Sequence, residues 1–265
     1  MYSPFQLGLK YINYYLTASN GKGHGVHSPF VFDFIINVLN DKRSFYAYEQ
    51  VERVRASLLR NDTTLQIQDF GAGSTVTKNN ERKVSSIARS ALKPKKFSQL
   101  MFRMVNYYHY NTMIELGTSL GVTSSYLASA NLKGKLYTFE GAAEVANVAG
   151  KYFEKLQLKN IEVVLGNFDQ TLQPVLDKLN TVDLAFVDGN HRKEPTLQYF
   201  RQLLQKKSDN SCFIFDDIHW SKGMEEAWKE IQQHPDVTLT IDLFFIGLVF
   251  FRKENKVAQH FAIRF

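Results

Sequence analysis

Three stretches of this 265-residue sequence hold side chains whose type and spacing can do chemistry. The first is Met113-Ile-Glu115-Leu-Gly117-Thr118-Ser119-Leu-Gly121-Val122, an apolar run that ends in an acid and passes through a glycine turn into a further small and apolar stretch. Glycine lacks the Cβ that holds a ligand off the backbone, and the first turn of a helix leaves N–H groups unpartnered. Such a turn therefore suits a carboxylate-bearing small molecule. The second stretch, Leu136 to Glu140, ends in an acid 25 residues after Glu115, where a carboxylate can accept both hydroxyl protons of a ribose. The third is a pair of apolar runs, Phe186-Val187-Asp188-Gly189-Asn190-His191 and Ile214-Phe215-Asp216-Asp217-Ile218-His219-Trp220. If both runs are neighbouring parallel strands, their ends lie about 5 Å apart and Asp188, Asp216 and Asp217 converge. Carboxylates that close repel one another unless protons or a cation neutralise them. Mg²⁺ is the economical cation, since six oxygens at about 2.0–2.1 Å leave places for water and two substrate oxygens. The alternative is structural: Asp188 in a hydrogen-bond network, and Asp216 or Asp217 capping the next helix.

These residues need strands that end side by side, and the hydrophobic pattern supplies them. From Thr112 onward short apolar runs alternate with longer amphipathic ones, which predicts a parallel sheet covered by helices. Strands are expected at 112–116, 135–139, 161–165, 184–187 and 212–215, with helices at 122–131, 143–156, 172–179, 196–206 and 224–232. Residues 238–245 and 248–252 read as an antiparallel hairpin turning at Ile246-Gly247, and 260–265 as one more edge strand. The fold class expected is α/β, a doubly wound Rossmann-like sheet of five parallel strands plus a C-terminal hairpin. A mostly helical extension, residues 1–96, precedes it, with Lys93-Pro94-Lys95-Lys96 as the junction to a domain over 97–265.

The acid-led glycine turn is similar to motif I of class I S-adenosylmethionine-dependent methyltransferases, and the order of strands and hairpin is the layout of that class. It is not the Gly-x-Gly-x-x-Gly of dinucleotide-binding folds. The resemblance implies S-adenosylmethionine as cofactor, with Glu115, Gly117, Thr118, Ser119 and Gly121 at its methionine end and Glu140 on its ribose. It also implies adenine contacts from Gly166-Asn167-Phe168 after the third strand. Phe97-Ser98-Gln99-Leu100 resembles the Gly-Gln-Leu stretch that touches the cofactor in small-molecule O-methyltransferases. The three aspartates resemble the metal site of catechol-type and macrocin-type O-methyltransferases, which implies that Asp188 serves both the cofactor and the metal. In the catechol type a lysine stands where His191 stands here, and in the macrocin type an aspartate stands where Asn190 does. His191 becomes the candidate base for the acceptor hydroxyl, with a pKa suited to the task near neutrality, and His219 the second candidate.

The resulting expectation is an enzyme that methylates a hydroxyl of a small molecule, assisted by Mg²⁺. The alternatives are a hydroxylated tRNA nucleoside as acceptor and a non-catalytic S-adenosylmethionine-binding protein. Residues 1–100 hold 14 Lys and Arg against 7 Asp and Glu, a balance of +7, whereas 101–265 balance at −1. That asymmetry suits an acidic partner such as RNA or a plain solvated surface. Gln68-Asp69-Phe-Gly71-Ala-Gly73-Ser74 also places an acid before a glycine turn, but no acid-tipped strand follows it at the required spacing, so it reads as a structural turn. Gly21-Lys-Gly-His24-Gly-Val-His27 suggests a lid over an acceptor.

Composition bounds the rest. With 44% hydrophobic and 22% charged residues the chain is globular, which excludes disorder, collagen and coiled coil. The apolar run Phe30–Leu39 is interrupted by Asp33 and Asn37 and is too short to span a bilayer. The opening residues lack the features of a secretory signal, so a cytoplasmic protein is expected, with no membrane partner. Cys212, the single cysteine, has the apolar neighbours of a buried strand position. Enzymes of the resembled type are often homodimers, although no single residue demands it.

Overall fold

A computed structural model of the chain describes residues 1–23, 25–67 and 81–265. His24 and the glycine turn from Gln68 to Ser74 lie outside the described residues. In chain order the elements are helix α1 (Pro4–Thr17), α2 (Pro29–Phe34) running into a π-helical turn (Ile35–Leu39), and α3 (Tyr46–Leu58). Strands β1 (Thr64–Gln66) and β2 (Glu81–Lys83) follow, then α4 (Val84–Ala91) and α5 (Lys95–Tyr108). The alternating part is β3 (Thr112–Leu116), α6 (Val122–Ala130), β4 (Lys135–Glu140), α7 (Ala143–Lys155), β5 (Ile161–Leu165) and α8 (Phe168–Leu176). It continues as β6 (Leu184–Val187), α9 (Lys193–Leu204), β7 (Cys212–Asp216) and α10 (Lys222–Gln232). Strands β8 (Leu239–Asp242), β9 (Ile246–Phe250) and β10 (Gln259–Ala262) come last. The class is the expected one: α/β, with mostly parallel strand pairs. Among the described pairs only those of β9 and the short β1–β2 ribbon are antiparallel.

The chain forms two compact units, one of residues Lys42–Val175 and one of Met1–Asp41 with Leu176–Phe265. In the first, β3, β4 and β5 pair in parallel, with Glu115 level with Thr138 and Glu140 level with Leu165. The apolar stripes of α3, α4 and α5 bury Val51, Val54, Leu58, Ile87 and Phe102 in one cluster with Leu120, Val122 and Tyr126. Each such fully buried side chain contributes roughly 1.5–3 kcal/mol. Part of the helical extension is thus core beneath the glycine turn rather than a separate layer of surface. The extension also contains the β1–β2 ribbon, which its mostly helical pattern does not announce.

In the second unit β6 pairs in parallel with β7, β9 runs antiparallel between β7 and β8, and β10 lies parallel on β8. The hairpin differs from expectation at its turn. Ile246-Gly247 lies inside β9, and the chain reverses at Leu243–Phe245, with Phe244 at φ 69° and its N–H donating to the Asp242 carboxylate at 2.7 Å. Gly247 has another purpose: a Cβ there would stand 2.5 Å from the Trp228 ring of α10. Helix α8 begins at Phe168 rather than Leu172, started by an Asn167 side chain that accepts from the Asp169 N–H at 3.0 Å. Cys212 is fully buried in β7, and burial raises its thiol pKa, as its apolar neighbours suggest.

Candidate functional site

The glycine turn of the Lys42–Val175 unit is fixed from both sides by β4. The N–H groups of Gly117 and Thr118 both donate to the Phe139 carbonyl, at 3.0 and 2.9 Å. The chain then turns through positive φ at Gly117 (110°), Ser119 (47°) and Gly121 (77°), and Gly121 caps α6. Glu140, at the tip of β4, reaches back to the turn: its carboxylate accepts from the Ser119 N–H and from the Ala142 N–H, each at 2.9 Å. It is half-buried at the strand end expected to serve a ribose.

Glu115 is placed differently from its neighbours. It is fully buried, and its Oε2 accepts from the Ser124 hydroxyl and, at 2.6 Å, from the Thr138 hydroxyl. Thr138 in turn shares a 2.7 Å hydrogen bond with the Thr118 hydroxyl. Burial pushes the Glu115 carboxyl up to about 7, the charge of Glu140 works in the same direction, and the two hydroxyl donors oppose both. Glu115 and the Thr118 side chain are therefore directed into the protein, where they brace the turn. Gly121 also has an internal role. A Cβ there would lie 2.6 Å from the Phe153 ring and 2.9 Å from Ala149 on α7, so glycine lets α7 pack closely as well as permitting the turn.

Ser98 and Gln99 sit on α5. Ser98 is fully buried and its hydroxyl has no hydrogen-bond partner among the described residues. The Gln99 amide donates to the Tyr126 hydroxyl of α6 at 3.4 Å, and Tyr126 donates to Glu52 at 2.8 Å. Gly166 turns at φ 126° with its N–H on the Glu140 carbonyl, holding the end of β5 beside that of β4. Phe168 follows, edge-on to Phe139. Glu140, Gly117 to Gly121, Gly166 to Phe168, Ser98 and Gln99 thus belong to one compact unit. The residues fit an amino-acid-bearing nucleoside: a half-buried carboxylate at one strand tip, a backbone turn at the next, and an unpartnered buried hydroxyl on α5.

The acids of the other unit lie at the ends of β6 and β7. Asp188, His191 and the buried Asp216 each offer one ligand atom, and the three atoms lie within 4.8 Å of one another. His191 Nε2 is 3.7 Å from Asp188 Oδ1, and its ring stacks on Trp220 at 6.2 Å. This is the one candidate metal group of its kind among the described residues. Asp217 is not in it: at φ 53° it turns the chain away, its N–H donating to the Phe245 carbonyl at 2.7 Å and its carbonyl accepting from Trp220. His191 takes the third position that the sequence suggested for Asp217. Strand β7 ends at Asp216, so strand alternation does not part the two aspartates; the positive φ of Asp217 does.

His219, the second candidate base, is held between two carboxylates. Its Nε2 lies 2.7 Å from Asp242 and its Nδ1 3.2 Å from Glu225. Burial pulls its pKa down, but the two carboxylates outweigh that and raise it. Glu225 also accepts from Tyr2 at 2.7 Å and Lys10 at 2.9 Å. His219 is thus a tie between α10, β8 and the N-terminal segment, with no ring nitrogen left over for a substrate proton. Asp242 and Glu225 carry no motif in the sequence. Only a hairpin turn placed at 243–245 could have pointed to Asp242.

Residues 114–218 match the family model described as a methyltransferase domain, a span that holds the glycine turn, Glu140, Asp188, His191 and Asp216. Several solved structures share the fold. The O-methyltransferase TomG from Streptomyces achromogenes, in complex with S-adenosylmethionine, is 16% identical at a TM-score of 0.56, covering 84% of this chain and 95% of that one. An O-methyltransferase from Bacillus cereus, with S-adenosylhomocysteine, is 19% identical at 0.53, covering 83% and 97%. The S-adenosylhomocysteine-bound methyltransferase PaMTH1 of Podospora anserina is 12% identical at 0.54, covering 81% and 100%. A curated relative, the tRNA (guanine-N(7)-)-methyltransferase of Mycoplasma mobile, is 29% identical over 119 residues, 39% of this chain and 59% of that protein. The chain thus spans less than two thirds of that relative's length. The matched span is that of a methyltransferase domain, and the fold is the one these methyltransferase structures share. This chain carries that methyltransferase domain over residues 114–218.

Proposed function

We infer that the protein transfers the methyl group of S-adenosylmethionine to a hydroxyl oxygen of a small molecule, and that Asp188, His191 and Asp216 hold a divalent cation for that reaction. The observation that carries the metal reading is the approach of those three ligand atoms to within 4.8 Å of one another. The likeness to structures named as O-methyltransferases supports oxygen as the acceptor atom. Glu140 would hold the ribose hydroxyls, the Gly117–Gly121 turn the methionine end, and Gly166 to Phe168 with Ser98 and Gln99 the rest of the nucleoside. When bound, S-adenosylmethionine supplies an electrophilic methyl on a sulfonium. A bound cation supplies Lewis acidity that lowers the pKa of a coordinated hydroxyl.

The chain's own residues must then aim the acceptor and take its proton. Two carboxylates and one imidazole suit Mg²⁺, and the nitrogen donor widens the choice to Mn²⁺ and other first-row ions. With His191 as a ligand its nitrogen cannot also be the base; without metal it is the group placed to accept the proton, beside Asp188. A metal titration separates these roles. Isothermal titration with S-adenosylmethionine tests the cofactor, and no binding at millimolar concentration ends that part of the proposal. Full turnover in EDTA ends the metal part and leaves His191 as base. Cofactor binding with no turnover on any hydroxyl acceptor would support a binding protein instead.

A second reading, an RNA acceptor, has the +7 balance of residues 1–100 and the tRNA-modifying Mycoplasma relative in its favour. Affinity for tRNA that falls steeply between 50 and 200 mM salt would favour it. No helix is long and apolar enough to cross a membrane among the described residues. A cytoplasmic setting is part of the proposal.

A further inference from the structure

The side chain of Gln99 is held at one end only. It sits half-buried on α5, where the Tyr48 hydroxyl reaches its backbone carbonyl at 3.5 Å and its side-chain amide meets the Tyr126 hydroxyl of α6 at 3.4 Å. Tyr126 is itself committed. Its hydroxyl donates to Oε1 of Glu52 on α3 at 2.8 Å, and Nε of Arg55, one turn along the same helix, lies 3.1 Å from both oxygens of that carboxylate. Arg55, Glu52, Tyr126 and Gln99 therefore form one hydrogen-bonded chain across three helices, all inside the Lys42–Val175 unit.

The direction of this chain follows from what each group can do. A guanidinium only donates, an ionised carboxylate only accepts, and a phenol has a single proton, which here goes to Glu52. Burial raises the Tyr126 pKa, Glu52 works in the same direction and the Gln99 amide against both. The phenol thus keeps its proton. Toward Gln99 its oxygen can only accept, so the amide must turn its NH₂ to Tyr126. The Gln99 Oε1, an acceptor with no partner among the described residues, is left for a ligand. Without Glu52 the amide could sit either way round, since its two ends have nearly the same shape.

We propose that Glu52 and Tyr126 are positioning residues for the cofactor, fixing the Gln99 amide so that its oxygen, not its nitrogen, meets the bound molecule and selects a donor there. The inference rests on the reading of S-adenosylmethionine as cofactor with Gln99 on it. In that reading Glu140 takes the ribose hydroxyls, which leaves amino groups as the donors, that of the base and that of the methionine end. A chain that merely stapled α3, α5 and α6 together would not select between donor and acceptor. The direction of the amide is what a test must read.

Isothermal titration of the full chain with S-adenosylhomocysteine and two analogues reads it. S-inosylhomocysteine carries a carbonyl oxygen where the base has its amino group, and the desamino analogue lacks the α-amino group. The wild type is expected to bind one of them about 10–100-fold more weakly than S-adenosylhomocysteine, and the analogue that suffers names the amino group read. Tyr126→Phe leaves the Arg55–Glu52 pair intact but frees the amide, while Glu52→Leu lets Tyr126 donate to Gln99 Oε1 and turn the amide round. Both should shrink the gap to within about threefold, whereas Glu52→Gln, which keeps an acceptor for Tyr126, should preserve it. Where circular dichroism shows Glu52→Leu unfolded, Tyr126→Phe decides. A wild type that binds all three ligands alike overturns the proposal, as does a gap that survives Tyr126→Phe or is lost in Glu52→Gln. A wild type that binds none of the three refutes the cofactor reading itself, and this proposal with it.

Discussion

The two compact units present candidate chemistry in opposite ways. In Lys42–Val175 the machinery is largely backbone: a turn at Gly117–Gly121, N–H groups aimed by strand ends, and one half-buried acid, Glu140, already docked on the turn. Its buried acid, Glu115, has a pKa near 7 and is hydrogen-bonded by two hydroxyls. In the other unit the machinery is charged side chains: Asp188, His191 and Asp216 in one group, and His219 between Asp242 and Glu225 in a second. A backbone cradle needs only the right glycines and strand ends, so it holds its shape before a ligand arrives. A cluster of like-charged side chains needs an opposing charge: His219 lies between its two carboxylates, and beside Asp188 and Asp216 the proposed cation would supply it.

The contrast breaks most visibly at Asp216. Asp216→Ala should cut turnover by roughly 10²–10⁴ while leaving S-adenosylmethionine affinity, measured by calorimetry, within about threefold. A large loss of cofactor affinity would merge the two regions into one. Gly121→Ala comes next and acts on the cradle through packing. Forcing a methyl against Phe153 and Ala149 at positive φ should cost about 3 kcal/mol of unfolding free energy. Urea denaturation would measure it, and a neutral result would mean that α7 yields more easily than close packing implies. Glu140→Ala should weaken cofactor binding about 10–100-fold, the worth of hydrogen bonds to a charged group. Unchanged affinity would remove Glu140 from the ribose.

The smallest effects lie in pH. Glu115 is raised from 4.5 to about 7, so between those values the folded protein holds a proton that the unfolded chain has lost, and stability falls as pH rises through that window. His219 is raised from 6.5, so its contribution is fully present below 6.5 and is lost as pH climbs through its higher folded value. Melting temperatures against pH should show both declines. Glu115→Gln should flatten only the lower one and His219→Gln only the upper. A single shared slope would show that the two buried groups titrate together.

Much of this was readable in the chain, and the parts that were not have physical reasons. The strands and their acidic tips were legible because apolar runs bounded by glycine and acid are local patterns. The hairpin turn was not. Gly247 looks like turn chemistry, but its missing side chain makes room for Trp228, 19 residues away, while Asp242 closes the real turn with its own carboxylate. Asp217 looked equivalent to Asp216, yet a positive φ at the strand end separates them. His219 looked available to a substrate, and two carboxylates remote in sequence from any motif claim both its nitrogens.

The sequence by itself determined the α/β class, the glycine turn after β3, the acid at the tip of β4 and the acids at the tips of β6 and β7. Each follows from interactions between residues a few positions apart. Only the tertiary structure decided which of those side chains meet. Glu115 turns inward to Ser124 and Thr138, His191 joins Asp188 and Asp216, and Tyr14 of α1 meets the Ile263 carbonyl. Such pairings depend on register, backbone sign and helix docking between residues as much as 249 positions apart, and no local pattern encodes them.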